Sequence, residues 1–109
     1  MGRHTHQIAL TIPLGETEAS LTDANSARIF RQAERVAVYP PTTLPETVTL
    51  EVAPVESPVA ADWTTVGLVD VVAQVAGHLV PFRALKLTAG VGVAADRVFR
   101  IECVIGCGC

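Results

Sequence analysis

Aromatic side chains are scarce in this 109-residue sequence: one Trp, one Tyr and three Phe, 5% of the chain. That scarcity argues against a broad aromatic face of the kind that anchors glycan- or protein-binding hot spots. Charge is sparse too, at 17% of residues with a formal net charge of −3, so no electrostatic footprint for nucleic acid is present. No apolar run approaches the roughly 18 residues needed to span a bilayer, because polar residues interrupt every candidate. The opening MGRHTHQ lacks the apolar core of a signal peptide, and His6 stands where a myristoylation motif wants Ser or Thr. Synthesis in the cytosol without export is therefore expected. Catalytic signatures are missing as well. There is no G-x-S-x-G, and Gly90 and Gly92 neither match G-x-G-x-x-G nor precede a helix. His78 sits beside Gly77 in a turn, while Ser26 and Ser57 lie in unrelated loops, so no nucleophile–base pair can be nominated. Neither an enzyme nor a cofactor is expected.

Half of the chain is hydrophobic, mostly Val, Ala, Leu and Ile. At this length it makes one domain with a single modest core, and so apolar a surface favours cover by neighbours in an oligomer or larger assembly. The organising stretch is Phe82 to Ile105. Leu85, Leu87 and Ala89 alternate with Ala84, Lys86 and Thr88, then Gly90 to Asp96 breaks the pattern. Beyond it Phe99, Ile101, Cys103 and Ile105 share one face, with Arg100 and Glu102 on the other. Period-2 alternation of this kind marks half-buried strands, and the simplest arrangement of two strands about a turn is an antiparallel hairpin. Asp96 and Arg97 would close that turn.

Met1–Gln7 reads as an arm. Ile8, Leu10, Ile12 and Leu14 form one face of a strand that Pro13 confines to a sheet edge or ends. Gly15–Asn25 is polar and turn-rich. Ala27–Ala37 favours two short strands about a turn near Gln32, with a helical turn capped by Ser26 as the alternative. Val48, Leu50 and Val52 face inward on the next strand, Ala53–Asp62 is a loop, and Trp63–Val66 and Val69–Val75 are further strands. Seven or eight short strands with no convincing long helix predict an all-β, single-domain antiparallel β-sandwich, jelly-roll-like. The sandwich spans residues 8–105, between an arm (1–7) and a Cys/Gly-rich tail (106–109).

The sharpest local feature is CVIGCGC, with Cys103, Cys107 and Cys109. Three readings stand: core packing with free thiols, interchain disulfides, or a thiolate cluster that ligates metal with one ligand fewer than closed sites take. His4 and His6 read as solvated, and Glu16, Glu18 and Asp23 as an acidic loop without the spacing of a calcium site.

The run IALTIPLG, AERVAVYPP, ETVTLEVAPVESPVAADWTTV and FRALKLTAGVGVAADRVFRI resembles small β-sandwich virion proteins of tailed bacteriophages. The resemblance covers about Ile8 to Ile101 and is carried by Leu85-Lys86-Leu87-Thr88-Ala89-Gly90 and Asp96-Arg97-Val98-Phe99. The sequence departs from that pattern in having Ala-Ala-Asp before Trp63 rather than Asp-Gly, and in its Cys-rich tail. The resemblance implies a structural protein made in the host cytoplasm and placed on the capsid surface. It would be a decoration (cement) subunit bound to the major capsid protein and to copies of itself, in a homotrimer, with no nucleic acid or membrane partner. The alternatives are a head-spike, fibre, neck or tail-associated host-binding module, or a small metal- or redox-linked protein using the Cys tail.

Overall fold

The computed structural model describes residues 4–69, 73–75 and 82–105. Among these residues eight strands and one α-helix follow one another as β1 (His4–Ile12), β2 (Glu18–Leu21), α1 (Ala24–Gln32), β3 (Ala33–Tyr39), β4 (Val48–Ala53), β5 (Thr64–Leu68), β6 (Ala73–Val75), β7 (Ala84–Ala89) and β8 (Arg97–Ile105), with one short 3-10 turn, Ala60–Asp62, before β5. They build two four-stranded sheets, ordered β1-β8-β3-β6 and β2-β7-β4-β5. The pairs β1·β8, β2·β7, β3·β6 and β4·β5 are all antiparallel. The first half of the chain thus runs as one long hairpin against the second half. Rolling that hairpin sends successive pairs into alternate sheets, which is a jelly roll. The all-β sandwich expected from the alternation is the architecture found.

Inward faces agree with the pattern except at Leu14, which lies beyond the end of β1 and is exposed. Leu10 and Ile12 of β1, Val48 and Leu50 of β4, Leu85 and Leu87 of β7, and Phe99, Ile101 and Cys103 of β8 are all buried in one core. β1 lies at a sheet edge and stops at Ile12, just before Pro13, as a residue without an N–H donor requires. At its start the strand takes in His4–Gln7, which pair with Ile105–Glu102.

Three local readings need correction. The central hairpin does not exist: β7 and β8 lie in different sheets, β7 between β2 and β4, β8 between β1 and β3. Alternation identifies a strand's buried face but says nothing of its partner. Residues 90–96 are long enough to cross the roughly 10 Å between sheets. Second, Ala27–Gln32 is helical, and the cap is Asp23 rather than Ser26. Asp23 Oδ2 accepts the Ser26 N–H at 2.9 Å, and Ser26 Oγ donates to Asp23 Oδ1 at 2.7 Å. Helix and strand then join at Ala33 with no loop, so the strand-like alternation of Val36 and Val38 is real but begins later than Ala27. Third, the polar stretch after Gly15 contains β2, whose Ala19 and Leu21 are half-buried while Glu18 and Ser20 are exposed. Four residues are too few for the period to stand out.

Helix α1 closes one end of the sandwich. It buries Ser26, Ala27, Ile29 and Phe30, and the Phe30 ring packs on Phe82 with centroids 4.8 Å apart.

Candidate interaction surfaces

The opposite end carries the loops 13–17, 40–47 and 90–96, locked together by polar contacts. The Leu14 N–H donates to Asp96 Oδ1 at 2.8 Å. Arg97 makes a two-pronged pair with Glu46, Nε to Oε1 at 2.9 Å and Nη2 to Oε2 at 3.1 Å. Glu46 Oε2 also accepts the Ala94 N–H at 3.1 Å. Backbone bonds from Gly15 N–H to the Val93 carbonyl (2.9 Å) and from Val93 N–H to the Glu16 carbonyl (3.1 Å) zip the first and last loops. Asp96 and Arg97 are therefore structural, as expected, but they tie separate loops instead of closing a hairpin. Glu46 carried no sequence signal, since its partner is 51 residues away. At this end Leu14 and Val91 stand 63% and 62% exposed, flanking the point where Gly15 and Gly92 touch.

Arg97 and the Ala94 amide together hold the Glu46 carboxyl below its ordinary range, the Arg97 hydrogen bond being the larger cause. Because the folded pKa is lowered, this contribution to stability is complete above about pH 4.5 and is lost as pH falls through the folded value. Glu46→Gln is expected to flatten the acid limb of a urea-midpoint profile measured from pH 6 to pH 3.

Two outer faces carry side-chain clusters. On the β2-β7-β4-β5 sheet, Lys86 Nζ lies 4.6 Å from the half-buried Trp63 ring centre and 3.9 Å from Glu51, which also accepts from Thr88 Oγ1 at 3.0 Å. Trp63 is a rim anchor in this setting. On the other sheet the Arg100 guanidinium stacks over Tyr39 at 4.5 Å, beside a shallow groove of about 650 Å³ lined by Gln7, Tyr39, Pro40, Pro41, Val98 and Arg100.

Cys103 is a free thiol buried in the core, next to Val36 on β3 and His6 on β1 in register. Packing is the role this burial supports, and an interchain bond through Cys103 would require opening the core. Cys107, Cys109 and His78 lie outside the described residues. Among the described residues no group of three or more His, Cys, Asp or Glu converges on a metal-sized site. Asp23 is engaged at the helix cap and His4 and His6 are exposed.

Burial, then the charge of Glu102, pushes the Cys103 thiol up to about 11 from 9.0. The raised value means that its contribution to stability is complete below pH 9 and is lost as pH rises towards 11. Urea midpoints are expected to fall across that window, and Cys103→Val should remove that part of the fall. In the native protein at pH 8, alkylation of this thiol should be slow and become fast only on unfolding.

No protein-family model matches the chain, and no curated protein matches it. Some solved structures are similar to it at low identity. The chain is similar to part of the IMPa metallopeptidase from Pseudomonas aeruginosa, with a TM-score of 0.53 and 8% identity over 94% of this chain. It spans 12% of that protein's chain. It is also similar to the Yersinia pseudotuberculosis-derived mitogen (TM-score 0.48, 9% identity, covering 98% of this chain and 87% of that one). A chain from Bacillus endospore appendages, which are disulfide-linked pili, matches at a TM-score of 0.42 and 13% identity, covering 97% and 92%. At 8% identity the likeness to that metallopeptidase segment concerns the fold alone.

Proposed function

We propose that this chain is a structural subunit that works by binding: a capsid-decoration (cement) protein of a tailed phage, seated on the major capsid protein and on copies of itself. The observation that carries the reading is the loop end. There Asp96, Glu46 and Arg97 hold three loops rigid and leave Leu14 and Val91 projecting into solvent. A rigid aliphatic tip loses little entropy on docking and gains by leaving water. The sequence resemblance to phage virion β-sandwiches supplies the setting. The test uses heads from a phage deleted for this gene, mixed with purified protein and sedimented. Saturable binding at a fixed ratio to the capsid protein is expected, and Leu14→Asp/Val91→Asp should weaken it. Failure to bind such heads would overturn the reading.

A second reading, a host-binding module at a spike, fibre, neck or tail, is favoured by one feature, the groove beside the Tyr39–Arg100 stack. Labelling that found the protein only at the tail or neck would select it over the first.

A further inference from the structure

A sheet edge presents unpaired N–H and C=O groups to any strand that meets it, and proteins normally blunt such edges by shortness, charge, proline or a bulge. Both edges of the β2-β7-β4-β5 sheet are blunted: β2 has four residues and begins with Glu18, and β5 has five and a register shift against β4 at Leu50/Glu51. β1 is different. It runs nine residues, HTHQIALTI, with no Asp, Glu, Lys, Arg or Pro, in unbroken register with β8 from His4↔Ile105 to Ile12↔Arg97. Among the described residues nothing pairs with its outer edge.

We infer that β1 is a self-association strand, pairing antiparallel with β1 of a second copy about a twofold axis and joining two four-stranded sheets into one of eight. The sequence of the strand is compatible with itself in the full-overlap register centred on Ile8. Thr5 then lies across from Thr11 of the second copy, Gln7 across from Ala9, and His6 across from Leu10, so no like charge opposes another. Thr5, Gln7, Ala9 and Thr11 are exposed in the single chain, with the Gln7 amide donating to Glu102 on β8 at 3.5 Å. Nine residues extend about 30 Å. With two layers and their side chains about 20 Å deep, the edge offers on the order of 600 Å² per copy, close to the roughly 800 Å² of a standard interface. The ladder adds hydrogen bonds along this length. One strand pairing with its own copy is an isologous contact and closes at two.

This inference stands apart from the capsid reading, because the dimer would form in the free protein. Native mass spectrometry is expected to show a dimer. Amide exchange followed by NMR should show every β1 amide protected, where a lone edge strand protects only the alternate ones that face β8. Thr5→Lys/Thr11→Lys opposes two lysine pairs across the axis. It should raise the dimer dissociation constant at least tenfold and free the alternate β1 amides, while the Phe99 and Ile101 amides stay protected. Thr5→Val/Thr11→Val keeps the strand uncharged and should remain dimeric. A monomer, a trimer indifferent to the lysines, or a dimer whose outer β1 amides exchange freely would each overturn the inference. A monomer that still bound heads would do so while leaving the proposed function intact, and a β1-paired dimer that bound none would do the reverse.

Discussion

Phe30→Ala is expected to destabilise the domain by about 3–5 kcal/mol, read as a shift in urea midpoint at unchanged slope. Phe30 is fully buried, sits on the inner side of α1 and stacks on Phe82 at 4.8 Å, where the helix closes the open end of the sandwich. Removing the ring costs its transfer free energy and leaves a cavity. That cavity cannot collapse easily, because α1 is anchored at both ends. Asp23 caps its start, and Ala33 at its finish is already paired with Ile105 of β8. Domains of this size hold a total of about 5–15 kcal/mol, so the variant should unfold near ambient temperature or fail to accumulate. Phe30→Leu, which keeps most of the volume, should lose much less. Equal losses for the two variants would mean that the helix does not seal the core.

The second large effect is expected far from the core, at Gly92. A Cβ placed there would lie 2.8 Å from the Gly15 carbonyl oxygen and 3.3 Å from its carbonyl carbon, both backbone atoms that cannot swing aside. The two loops are drawn to this distance by the bonds between Gly15, Glu16 and Val93. Gly92→Ala must therefore push the loops apart and strain those bonds, at a cost of about 1–3 kcal/mol. Gly90, which has open space around its Cβ position, is the internal control, and Gly90→Ala should change stability little. If Gly92→Ala were as mild as Gly90→Ala, the loops would not be in contact. On the proposed function, a stable Gly92→Ala protein should also bind capsids less well, because the exposed Leu14 and Val91 flank the displaced contact.

What the sequence made legible was one-dimensional. Alternation located β1, β4, β7 and β8, named their buried faces, and placed Cys103 beside Phe99 and Ile101, because burial on one face of a strand leaves a period of two. Pairing is not written in that period. The same Leu85–Leu87 and Phe99–Ile101 faces suit a hairpin or two facing sheets, and the length of residues 90–96 permits either. Helix α1 was obscured because it passes into β3 at Ala33 without a break, so the alternation of Val36 and Val38 extended backwards over it. The Asp23–Ser26 bond was readable in principle, as a capping residue three positions before a buried one. Glu46 and the Tyr39–Arg100 stack depend on contacts between distant segments and left no local trace.

The central claim, that this jelly roll is a cementing subunit, is tested most directly by the temperature at which phage heads release their DNA. Heads lacking the protein should rupture at lower temperature than complete ones, and adding back the purified chain should restore the original value. Heads that break at the same temperature with and without it would contradict the claim.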